Sequence, residues 1–204
     1  MKKTRKEILT RIAREVAEKG FYATRADLVI RELNITKGAM YHYFPNKTAI
    51  GTALIDEVIL PKMRKRWEPL LDETLSYTDR ILKVLNNLKV QITEQSLKVG
   101  CPFNNLAQEL TATNELFRGK LERILDEIRG QLSLVLTAGQ TKELSREFEP
   151  DAVANYIIAA TEGIMGMAKV KRNAAIMRQS LDMLMAYVES LRKSAEEIRM
   201  LDEG

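Results

Sequence analysis

Cysteine and histidine are almost absent: Cys101 and His42 stand alone in 204 residues. One cysteine permits no intrachain disulfide, and with one histidine it makes too small a set for a His/Cys metal centre, so neither a metal nor a cofactor is expected. A cysteine-dependent enzyme is disfavoured on the same ground, because the only histidine that could activate Cys101 lies in the N-terminal quarter of the chain. Only 5 prolines and 10 glycines interrupt the sequence, and strand-like alternation is missing from any long window. No apolar run approaches the roughly 18 residues that a bilayer-spanning helix needs. The first residues lead into an amphipathic pattern instead of a signal-type apolar stretch, so a cytoplasmic protein is expected.

What is present reads as an all-α protein, with 45% hydrophobic residues to build a core. The net charge of +4 is unevenly spread: residues 1–50 hold 11 Lys/Arg against 5 Asp/Glu, the remainder 21 against 23. A basic N-terminal quarter suits a polyanionic partner, and also an ordinary solvated face. Ile8, Ile12, Ala13, Val16 and Ala17 at helical spacing predict a helix over 5–18, closed by Gly20. Thr24 is expected to cap a short helix running to about Leu33, followed by Asn34, which tolerates a left-handed turn. Thr36 caps a third helix over 37–43 that stops before Pro45, and Asn46 caps a fourth from residue 47 that Pro61 disturbs. Later helices are predicted at 62–72, 78–98, 102–111, 114–138, 150–169 and 173–198, about nine well-formed helices in all.

Two short helices three residues apart after a longer one match a helix-turn-helix. The run from Ile35 to Lys47 packs hydroxyls, aromatic rings with polar tips and cations into one short helix and its exit. Thr36, Lys37 and Gly38 stand where a recognition helix meets base edges, and Lys37 can donate to a guanine. Tyr41 and Tyr43 suit phosphate or a thymine methyl, while Lys47, Thr24 and Arg25 at helix starts suit phosphate. Met40 and Phe44, four residues apart, read as core, as do Leu28, Ile30 and Leu33.

The segment resembles the recognition region of the TetR family, whose pattern is close to V-S-K-G-x-L-Y-x-Y/H-F-x-x-K, over about Thr4 to Leu54. The departures lie mainly in the second helix, at Leu28, Ile30, Leu33 and Asn34. The resemblance implies a dimeric repressor with a divergent ligand-binding body. It assigns base or phosphate contacts to Thr36, Lys37, Gly38, Tyr41, His42, Tyr43 and Lys47. It further implies a helix-turn-helix domain over 1–46 and a ligand-binding and dimerisation domain over 47–204, with a double-stranded operator and a small hydrophobic or electrophilic inducer as partners.

In the body, two long apolar helices over about 151–169 and 173–191 suit an isologous four-helix contact, or else the core of a monomer. Ile157, Ala160, Gly163, Ile164, Met167, Leu181, Leu184 and Val188 are the expected interface, with small residues permitting close approach. Met63, Trp67, Phe103, Phe117 and Tyr156 are candidates to line a sensor cavity, or plain core. Gly100-Cys101-Pro102-Phe103-Asn104-Asn105-Leu106 resembles the start of the sixth helix in the electrophile-responsive branch of the family. A thiol at a helix start is favoured as thiolate if its sulfur is accessible; a buried structural cysteine is the alternative, and Lys169 and Lys171 are candidate neighbouring cations. A non-sensing DNA-binding dimer and a cysteine enzyme are the rival functions.

Overall fold

The computed structural model describes residues 4–145 and 147–193. In chain order the helices are α1 (Arg5–Lys19), α2 (Ala26–Leu33), α3 (Lys37–Tyr43), α4 (Lys47–Leu54), α5 (Leu60–Trp67), α6 (Tyr77–Val90), α7 (Glu94–Val99), α8 (Pro102–Leu110), α9 (Glu115–Gln140), α10 (Pro150–Lys171) and α11 (Ala174–Ser190). A π-helical segment, Ile55–Ile59, joins α4 to α5, and a 3-10 turn, Glu68–Leu71, follows α5. Among the described residues there is no strand, only an isolated antiparallel bridge between Leu144 and Arg192. The chain is therefore all-α, as its composition and periodicity predict.

The local reasons lie mostly in caps. Thr4 and Glu7 form a reciprocal capping box on α1, Thr36 accepts from the Ala39 N–H of α3, and Asn46 accepts from the Ala49 N–H of α4. Gly20 closes α1 at a positive φ of 88°, and Asn34 ends α2 in the left-handed turn foreseen for it, at φ 51°. Thr24 does not cap α2. Its hydroxyl donates instead to the Gly20 carbonyl at 2.7 Å, and Arg25 occupies the cap position without a side-chain bond.

Pro61 does not break the helix that begins at Lys47. The preceding turn widens, with the Leu60 N–H reaching back five residues to the Ile55 carbonyl. That wider turn relieves the clash a proline ring makes with the carbonyl four residues earlier. The expected 78–98 helix is two helices, interrupted at 91–93, where Thr93 caps α7. The last helix ends at Ser190, and positions 194–198 of its expected range fall outside the described residues.

Packing divides the described residues into two compact units, 4–63 with 102–124, and 64–101 with 125–145 and 147–193. In the first, α1 packs on α2 and α4, and Ile8, Ile12, Val29, Met40 and Phe44 are buried as its apolar centre. Glu15 is the buried charge, ion-paired with Arg11 at 3.0 Å and Lys19 at 2.5 Å. In the second unit, α11 packs against both α6 and α10, around Ile81, Val84, Leu85, Ile157, Leu181, Leu184 and Val188.

Candidate DNA interface and thiol centre

On α3, burial of Met40 and of Phe44 just beyond its end fixes which face is left outside. Thr36, Lys37, Gly38, Tyr41 and His42 are exposed and Tyr43 is half-buried, its ring edge-on to His42 at 5.2 Å. A Cβ at Gly38 would meet nothing closer than the Thr36 hydroxyl at 3.9 Å, so the backbone there is open to close approach by another surface. Lys37 is largely free of protein, with Asp27 4.0 Å away as its recorded ion-pair partner. Leu28 and Leu33, expected as core, are only half-buried, because α2 is short and its inward face is taken by Val29 and Ile30.

Lys47 is placed differently from a simple phosphate clamp. Its ammonium donates to the carbonyls of Tyr22 at 2.7 Å and Thr24 at 3.4 Å, and lies over the rings of Phe21 and Tyr22. An ammonium has three N–H donors, so one remains for an outside acceptor. From the other side, the Glu109 carboxylate accepts the N–H groups of Phe21 and Tyr22, each at 2.7 Å, and the Tyr22 hydroxyl meets Thr113 at 2.6 Å. Glu109 is not evident in the sequence, because an acidic residue at the end of an amphipathic helix carries no mark of a partner 88 positions away. The turn between α1 and α2 is thus held by opposite charges on its carbonyls and its amides. Glu109→Ala should therefore speed hydrogen exchange at the Phe21 and Tyr22 amides by tenfold or more, the equivalent of about 1.4 kcal/mol. Unchanged protection there would mean that the carboxylate does not hold the turn.

Of the expected sensor residues, Met63, Trp67, Cys101, Phe103 and Phe117 are buried. Phe117 is core of the first unit: it packs edge-on against Phe21 at 5.6 Å, and a Cβ on Gly51 would lie 2.4 Å from its ring. Tyr156 departs from the expectation. It is exposed on α10 and packs edge-on against Tyr187 of α11, which leaves it outside any cavity within its unit.

Cys101, immediately before α8, is only 3% exposed, so free access to its sulfur is not met in this state. Two residues that the sequence did not single out surround it. One Arg66 nitrogen lies 3.2 Å from Sγ and 3.2 Å from Glu162 Oε1, and the thiol donates to that same oxygen at 3.3 Å. Burial opposes the Arg66 charge, yet the Cys101 sulfur and the Glu162 carboxyl beside it outweigh that penalty and its pKa is raised. Burial holds the Glu162 carboxyl above its ordinary value, with Arg66 and the Cys101 hydrogen bond pulling the other way. Glu162 Oε2 is enclosed and accepts no bond. Lys169 rests its stem on Gly100, beside the cysteine, whereas Lys171 is exposed at the end of α10.

Half of the expected interface is also corrected. Ile157, Leu181, Leu184 and Val188 are inside the protomer and offer no surface. The helical stripe chosen for its apolarity is the one α10 and α11 bury against their own unit. Gly163 and Met167 are exposed and Ala160 and Ile164 half-exposed, alongside Tyr156, Val170 and Met183, and a Cβ at Gly163 would meet nothing within 4 Å.

Residues 8–54 match the family model described as bacterial regulatory proteins, tetR family, and residues 78–184 match the tetracyclin repressor-like C-terminal domain. A transcriptional regulator of Lactococcus lactis is 26% identical over 94% of this chain and 96% of its own length. The transcriptional repressor NemR of Escherichia coli is 24% identical over 92% and 93%, and the repressor DhaR of a Mycobacterium species 26% over 89% and 88%. Among solved structures, a TetR regulatory protein of Rhodobacter sphaeroides superposes with TM-score 0.78 at 25% identity, covering 89% of this chain and 97% of that one. Reduced E. coli NemR superposes with TM-score 0.79 at 23% identity, covering 94% and 98%. With a matching head, a matching body and relatives that align along nearly their whole length, the chain belongs to the TetR family of bacterial transcriptional regulators.

Proposed function

We propose that this regulator is a cytoplasmic repressor that binds a palindromic DNA operator as a homodimer, with residues 1–46 as DNA-binding domain and 47–204 as sensing and dimerisation domain. The observation that carries the reading is the outer face of α3, where Lys37, Gly38, Tyr41 and His42 are exposed together while Met40 is buried beneath them. A short helix anchored by one apolar face and presenting a basic, aromatic other face suits the major groove. Thr36, Lys37 and Gly38 read base edges; Tyr41, His42, Tyr43, Arg25 and the remaining Lys47 donor meet phosphates or methyl groups. Thr24, with its hydroxyl turned to Gly20, contributes through its position in the turn.

Titration of an operator against salt separates these roles. Lys37→Ala should cost about 1 to 3 kcal/mol at particular base positions and relax the preference there. Lys47→Ala should weaken all sequences alike, with the salt slope falling by about one unit. Uniform weakening by Lys37→Ala would move that residue to the phosphate class, and an unchanged slope in Lys47→Ala would confine its ammonium to holding the turn.

Release follows from chemistry at Cys101, with an electrophile as inducer. The support is the guanidinium and carboxylate held against the sulfur, together with the relationship to NemR, a repressor known in a reduced form. Because the sulfur is enclosed, modification proceeds from an opened state of its surroundings. Cys101→Ser should bind operator normally and ignore a maleimide that releases the parent protein; modification of Cys101 with operator binding intact would overturn the reading.

A further inference from the structure

We propose that Glu162 is a positioning residue that keeps the Cys101 thiol protonated, against the pull of Arg66, so that the two acids share one proton beside the guanidinium and its position governs when the sulfur is nucleophilic. This rests on the proposed role of Cys101 as the sensor thiol, and it assigns the control of that thiol to two residues on other helices.

The geometry is a closed triangle. Sγ, the Glu162 Oε1 and one Arg66 nitrogen lie within 3.2 to 3.3 Å of one another, with the guanidinium and carboxylate side chains only 16% and 12% exposed. A lone guanidinium in that setting is neutralised by one negative charge, and two acids compete to supply it. With the thiol protonated, the charge sits on Glu162 and the thiol donates to it. With the carboxyl protonated, the charge sits on sulfur and the guanidinium donates to it. Ionising both would place two anions 3.3 Å apart against one cation, the arrangement in which like charges push the second ionisation upward. Oε2 is enclosed without a donor, so the carboxylate is incompletely satisfied and the proton has a reason to visit it. Lys169, whose stem lies on Gly100, is a further charged side chain beside this segment.

The consequence for reaction with an α,β-unsaturated carbonyl is definite. Sulfur attacks the β-carbon, the C–S bond forms as the carbon–carbon π bond breaks, and the electron pair moves to the carbonyl as an enolate. The thiol proton passes to Glu162 and from there to the α-carbon. The thioether so formed has no proton to donate, and Glu162 is left ionised with Arg66 as its partner.

The test reads protonation directly. Cys101 is the single cysteine, so the far-ultraviolet thiolate absorbance of the full-length protein, referenced to a matching Cys101→Ser protein, titrates this sulfur alone. In Glu162→Gln, an isosteric change, thiolate becomes the counter-charge to Arg66 within the triangle and the midpoint should fall by about one to three pH units. In Arg66→Gln, two acids remain without their cation, and the midpoint should rise by a similar amount. Alkylation rate against pH should shift with the same opposite signs. A merely structural role, in which either substitution loosens the site, would move both midpoints toward that of an exposed thiol. Shifts of the same sign, or none in the variant that folds, overturn the proposal. Operator release on alkylation is measured separately, so failure of the sensor reading leaves a distinct signature.

Discussion

Gly163→Glu is expected to convert the proposed dimer to a folded monomer and to weaken operator binding roughly a thousandfold, the factor that about 4 kcal/mol represents. Gly163 lies on the outward stripe of α10, with exposed Met167 one turn on and open space where its Cβ would be. Such a stripe of small and apolar residues lets a twofold-related helix come close, and two carboxylates brought together at its centre would be desolvated without partners. A head released from its twin makes half the DNA contacts, and the second half-site no longer adds to the first. The control is Leu184→Glu. Leu184 is buried where α11 packs on its own unit, so the charge should unfold that unit and not merely separate protomers. Sedimentation velocity with a thermal melt distinguishes the cases. A Gly163→Glu protein that remains dimeric places the interface elsewhere.

Gly51→Val should lower the stability of the first unit by about 1 to 3 kcal/mol, whereas Gly119→Ala in α9 should raise it by up to about 1 kcal/mol. Both are helical glycines, and propensity alone predicts a gain at each. At Gly51 the added carbon would sit 2.4 Å from one Phe117 ring atom, 2.8 Å from another and 3.0 Å from Phe21. Those rings are buried and packed on each other, so neither can swing aside. At Gly119 nothing lies within 4 Å, and only the entropy gain is left. The midpoint of urea unfolding checks both; equal signs would mean that Phe117 has room to move.

The sequence made most of the fold legible through caps and breakers acting locally. Thr36, Asn46, Gly20 and Asn34 do what their chemistry allows without reference to distant residues, whereas the Thr4–Glu7 capping box of α1 was not read from the sequence. Pro61 does disturb the helix begun at Lys47, but as a π turn and not a break, a form that the residue type alone does not specify. The outward residues of α3 were legible because apolar Met40 and Phe44 fix its face. The stripes of α10 and α11 were not, since both faces are apolar and only tertiary packing decides which is buried. Arg66, Glu109 and Glu162 carry no motif. Each gains its role from a partner at least 35 positions away, which no periodicity reports.

Selection of duplexes from a random pool by the purified protein, with the mass of the resulting complex, tests the central claim most directly. The account predicts enrichment of an inverted repeat whose half-sites lie on one face of the duplex, about one helical turn or a multiple of it apart, with an even number of protomers per duplex. Enrichment of nothing, or of a single unrepeated site bound by one protomer, would contradict it.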